Sequence, residues 1–165
     1  MSDLQMFLTV LALAAGVAMS FWATIAVNSI PWPEAMVESY VESSSALTTE
    51  KPVIDFLAVV LMAPLVEELL FRGVMLSGWE SQGTKKAIFV TAALFSVVHG
   101  SLTGLPGQFF GGMLMALLVI WTGSIYAGMI FHGAYNASNL ILNYVSSGAE
   151  LEGAAEMEAL MQTDL

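Results

Sequence analysis

The sequence predicts an all-α fold, a polytopic transmembrane helix bundle of about five spans, and two observations carry that expectation. Only 11% of the 165 residues are charged, against 57% hydrophobic, and the mean hydropathy is +0.76; a soluble domain carries roughly 25% charged residues. The few charges are also unevenly placed, with none from Leu4 to Pro33 and none from Ala87 to Ala149. Such runs suit hydrocarbon and exclude an ordinary soluble globule. With no cysteine, a disulfide scaffold, a Cys-ligated zinc site and a thiol nucleophile are excluded as well. Four basic against 14 acidic residues, net charge −10, leave no footprint for nucleic acid.

A helix needs about 20 apolar residues to cross ~30 Å of hydrocarbon. The first such run is Gln5 to about Asn28, stopped by Pro31-Trp32-Pro33, which cannot continue a helix and sets an aromatic at the interface. Asp3 stands where a cleaved signal would be basic, so this segment is expected to be retained. Glu34, Glu38 and Glu42 then recur at helical spacing opposite Met36, Val37, Tyr40 and Val41, predicting a short surface helix in an acidic loop that also holds Glu50. Further spans are expected over about Val53–Leu76, Lys86–Ser101, Gly107–Trp121 and Ile125–Val145. The third and fourth of the five are short enough for tilt or a shallow re-entry. The acidic end, with Glu150, Glu152, Glu156, Glu158 and Asp164, is expected to be mobile. The divisions are therefore 1–52, an N-terminal span and acidic loop; 53–146, a helical core; and 147–165, an acidic tail. Lys85 and Lys86 outnumber Lys51, which sets the N-terminus in the cytoplasm.

An ionisable group at mid-membrane costs about 3 kcal/mol on insertion scales, so its presence points to function. The second span holds Glu67, Glu68 and Arg72, the third His99, the fifth His132 and Asn136. Glu68 and Arg72 are i and i+4 and can pair. Glu67 lies about 100° round the helix and is left without that partner. His132 and Asn136 share a face that Asn139 and Asn143 continue, and this stripe should face the interior. At about 1.5 Å per residue from the helix ends on one side, Glu67 lies roughly 15 Å deep, His99 roughly 20 Å and His132 roughly 12 Å, a common layer. Gly107 with Gly111, and Ser124 with Gly128 and His132, form rows that let backbones pack closely. The 11 methionines read as gap-filling side chains.

Glu67-Glu68-x-x-x-Arg72, Phe95-x-x-x-His99 and His132-x-x-x-Asn136, in that order on successive segments, resemble the three signature motifs of the CAAX protease and bacteriocin-processing (CPBP) family, intramembrane endopeptidases similar to the type II CAAX prenyl protease. Ala63-Pro64, Phe71-Arg72-Gly73 and Thr122-Gly123-Ser124 fit too, so the resemblance covers about Val53 to Asn143. It implies a hydrolase with its active site within the membrane. Glu67 would activate water, with His99 holding it and passing protons. His132 and Asn136 would donate to the oxyanion, while Glu68 and Arg72 position Glu67. It implies no required cofactor, although two histidines and a glutamate are also a zinc ligand set. The expected partners are a peptide or lipidated-protein substrate and membrane lipid, in the inner membrane of a prokaryotic cell. Two rival readings are a haem protein with His99 and His132 as axial ligands, and a non-catalytic scaffold or immunity protein on the same bundle.

Overall fold

The computed structural model describes residues 2–45, 48–49 and 51–163, except the side chains of residue 45 and of 148–163. Glu50 and Asp164, and the side chains of the other tail acids, lie outside the described set. Within that set the chain is helical, without strands. Helix α1 is Asp3–Ser29 and α2 is Glu34–Ser45; α3 is one helical stretch over residues 52–80; α4 is Thr84–Val98, α5 Leu105–Thr122 and α6 Ile125–Thr163. Two of these, α1 and α5, are continuous α-helices long and apolar enough to cross a membrane. Much of the apolar surface faces outward, as at Phe7, Phe21, Ile25, Val74, Phe89 and Ile141, an arrangement for lipid rather than water.

Small residues set the packing. The buried face of α1 is Ala12, Gly16, Met19, Ser20 and Ala23, and it lies against α6. A Cβ on Gly16 would sit 2.3 Å from the Phe131 carbonyl oxygen, so only glycine permits this approach. Likewise α4 and α5 close up at Gly112, where a Cβ would lie 3.2 Å from Ala92 Cα. Without a hydrophobic drive between helices in lipid, such close contact is the main source of association.

Helix α3 departs from the regular spiral expected of its sequence. It is α-helical over Pro52–Asp55, Ala63–Glu68 and Ser77–Glu80, and widens to π-helix over Phe56–Met62 and Leu69–Leu76. Pro64 explains the first widening. The Ala63 N–H reaches back five residues to the Ala58 carbonyl; in that register the Val59 carbonyl should receive the N–H of residue 64, which proline lacks. The second π stretch buries the successive residues Phe71 and Arg72 together.

The ends of the other helices shift the expected boundaries. Helix α4 stops at Val98, not near Ser101, because Gly100 takes φ +67, a left-handed conformation that closes a helix. Helix α6 runs past Val145 to Thr163, through an Ala- and Glu-rich stretch of good helix formers.

Candidate functional site

Three helices bring the intramembrane polar residues together. Glu67 Oε2 lies 3.7 Å from His99 Nε2 and 3.9 Å from His132 Nε2. Both gaps exceed a hydrogen bond and suit a single bridging water. Glu67 Oε2 is itself buried, with no hydrogen-bond partner among the described residues. The carboxylate therefore faces two imidazoles with its acceptor capacity unspent.

Each imidazole is held from behind. His99 follows the last residue of α4, and its Nδ1 lies 2.7 Å from the Phe95 carbonyl oxygen. That oxygen is an acceptor only, so Nδ1 carries a proton, and in the neutral ring Nε2 presents a lone pair toward Glu67. His132 places Nδ1 3.1 Å from Glu68 Oε1. The same oxygen accepts from Arg72 Nη1 at 2.7 Å, both side chains being fully buried, and Arg72 Nη2 donates to the Gly112 carbonyl at 3.0 Å. Phe95 packs against all three groups: its ring lies 4.6 Å from the Arg72 guanidinium carbon, and 4.6 Å and 5.6 Å from the His99 and His132 rings. Arg72, Glu68 and His132 thus form one buried chain. Glu68 Oε1 accepts from Arg72 and from His132 Nδ1 and so orients the His132 ring.

Asn136 stands one turn beyond His132, and its Nδ2 donates to the Val59 carbonyl at 2.9 Å. In the register of the preceding turn, this is the carbonyl that an N–H at position 64 would serve. One amide proton is committed there, and the second is available to the site. Asn139 continues the stripe, its Oδ1 accepting from the buried Ser20 hydroxyl at 2.8 Å, while Asn143 lies at the rim of the cavity described next.

A cavity of about 610 Å³ reaches inward from α2 to His99 and His132, with Glu67 just beyond the imidazoles. It opens on the side of Tyr40, Ser43 and Ser101, opposite the turn at residues 81–83. Two polar residues of this region escaped sequence reasoning. Gln108, alone as an amide in α5, lines the cavity and could have been noticed for that isolation. Asp55, 1% exposed, accepts from the Thr49 N–H at 3.0 Å, from the Thr49 hydroxyl at 2.7 Å and from the Tyr144 hydroxyl, tying the first loop and α6 to the start of α3. Gly128 does more than its spacing suggests. A Cβ there would lie 2.7 Å from Glu68 Oε2 and 3.0 Å from Val119 Cγ2, so this glycine makes room for a carboxylate as well as for the neighbouring α5.

The family model described as type II CAAX prenyl endopeptidase Rce1-like matches residues 49–138. The chain belongs to this family. Its members are membrane-embedded proteases, which places the chain among membrane hydrolases at that coarse level. All six residues singled out above fall inside the match. No match was found to a curated protein or to a solved structure.

Among the described residues, no group of three His, Cys, Asp or Glu side chains is arranged to hold a metal ion. The haem reading gains nothing from the geometry. Both Nε2 atoms lie within 4 Å of one carboxylate oxygen, a group for which haem ligation has no use.

Proposed function

We propose that the protein is an intramembrane endopeptidase in which α1, α3, α4, α5 and α6 span the bilayer and Glu67 activates water against a peptide bond of a membrane-associated substrate. The observation that carries this reading is the unpartnered Glu67 Oε2 facing the Nε2 atoms of His99 and His132. A water between them donates one proton to the carboxylate and the other to the His99 lone pair, which aims its own lone pair outward.

Attack on the scissile carbonyl forms the C–O bond as Glu67 takes the proton. The tetrahedral oxyanion receives the second Asn136 amide proton and, when the ring carries both protons, the His132 Nε2–H. Collapse breaks the C–N bond, and Glu67, assisted by His99, returns the proton to the leaving amine. Glu68 and Arg72 touch no reacting atom; they fix the His132 ring and the rotation of α3, and through these the direction of Glu67. The scheme needs no metal, since base, proton carrier and donors are all side chains.

By the basic pair Lys85-Lys86, the N-terminus lies in the cytoplasm of a prokaryotic cell and the cavity opens on the opposite face. The test is cleavage of a labelled peptide panel by detergent-purified protein. Activity in the wild type, and its loss in Glu67→Gln with unchanged thermal stability, supports the reading. Equal cleavage by both refutes it, and a biological activity that survives Glu67→Ala favours the scaffold alternative.

A further inference from the structure

The wall of the cavity has an unusual chemistry. Among the described residues no Asp, Glu, Lys or Arg lines it, although two imidazoles close its inner end, and its polar side chains include five amides: Asn28, Gln108, Asn136, Asn139 and Asn143. At about 610 Å³ it falls in the range of ligand sites. Asn136 and Asn139 have protein partners. Gln108 differs: its Oε1 is buried and has no hydrogen-bond partner among the described residues. Its Nε2 end leans back over the start of α5, where a Cβ on Gly104 would meet it at 3.0 Å. A buried acceptor left unpaired is destabilising, and a native protein that keeps one calls for an explanation.

We infer, resting on the proteolytic reading above, that this cavity is the substrate channel, that it takes an extended peptide segment without charged side chains, and that Gln108 holds the main chain of that segment. A carboxamide offers the same donor and acceptor as a peptide group, so Gln108 Oε1 accepts a substrate N–H while the neighbouring amides serve other main-chain groups. An extended strand leaves these groups unpaired and accessible; a helix does not. A Lys or Asp side chain along this wall loses its water and finds no counter-charge among the described lining residues, a strongly unfavourable exchange. The segment enters past Tyr40 and Ser43 of α2 and runs toward the imidazoles. Specificity therefore comes from exclusion of charge and from main-chain pairing.

The test separates binding from cleavage. Fluorescent ten-residue peptides built from Gly, Ser, Asn, Ala and Leu, and siblings with one central Lys or Asp, are titrated by anisotropy into the full chain in detergent. The Glu67→Gln variant measures affinity without turnover. The neutral peptide binds, and each charged sibling binds at least about tenfold more weakly. Gln108→Leu weakens the neutral peptide by about three- to tenfold while leaving the thermal midpoint unchanged or raised, because the unpaired acceptor is gone. Failure of the neutral peptide to bind overturns the inference. So does a Lys or Asp sibling that binds as tightly, or a Gln108→Leu variant with unaltered affinity. Binding to Glu67→Gln without any cleavage by the wild type leaves the channel standing and removes the proteolytic reading alone.

Discussion

Replacing Arg72 by leucine tests the buried chain behind the site. The substitution removes a 2.7 Å bond to Glu68, a 3.0 Å bond to the Gly112 carbonyl and a guanidinium stacked 4.6 Å from the Phe95 ring centroid. Neither Arg72 nor Glu68 has any exposed side-chain surface, so water cannot replace the lost partner. Stranding a buried carboxylate in this way costs about 3 to 5 kcal/mol. For a chain of this length that corresponds to a fall of roughly 6 to 20 °C in melting temperature. Glu68→Leu should cost a similar amount by stranding the arginine. The double variant Glu68→Leu/Arg72→Leu should recover much of either loss, because a buried ion pair replaced by apolar groups is often neutral in stability. It should nevertheless cleave poorly, since His132 Nδ1 no longer has its acceptor. Thermal unfolding of the four proteins in one detergent gives the coupling energy directly. Single variants as stable as the wild type, or a double variant whose loss is the sum of the two, would refute the reasoning.

Further outcomes follow from the same geometry. Glu67→Gln should lower peptide cleavage by about 10² to 10⁴-fold, the range for a general base, with no loss of stability, because Glu67 Oε2 has no partner to strand. Gly128→Ala should destabilise by about 1 to 3 kcal/mol by pressing on Glu68, whereas Gly78→Ala, whose Cβ meets nothing within 4 Å, should be neutral or slightly stabilising; melting temperatures separate the two. Cleavage should persist in the presence of EDTA or 1,10-phenanthroline, and a loss restored by added zinc would instead make Glu67, His99 and His132 ligands. Because the chain contains no cysteine, Ser43→Cys and Gln82→Cys can be labelled in intact cells by a membrane-impermeant maleimide: Ser43→Cys should react and Gln82→Cys should not.

What the sequence makes legible here is what depends on the 3.6-residue period and on depth. The order of the helices, the Glu68–Arg72 pair and the common layer of Glu67, His99 and His132 all follow from counting residues along spans. The features that escape depend on which backbone group lacks a partner and which surfaces meet. Pro64 is visible in the sequence, but the register it forces on the preceding turn, and the Val59 carbonyl it leaves for Asn136, emerge only when α6 is laid beside α3. Gly128 reads as one of several small residues until Glu68 is seen to fill the space over it. Asp55 sits too near a span's end to stand out by hydropathy, and its burial is decided by Tyr144, distant in sequence.

The bond from Asn136 to Val59 also bears on how such a chain can change over evolutionary time. An N–H restored at position 64 by Pro64→Ala would give the Val59 carbonyl a donor within α3, so that the bond from Asn136 is no longer needed to satisfy it. A change at either position is then felt at the other, so proline and asparagine are fit to be inherited or lost together. In a lineage that abandoned catalysis, the two should drift as a couple, and the state of position 64 would betray what had become of position 136.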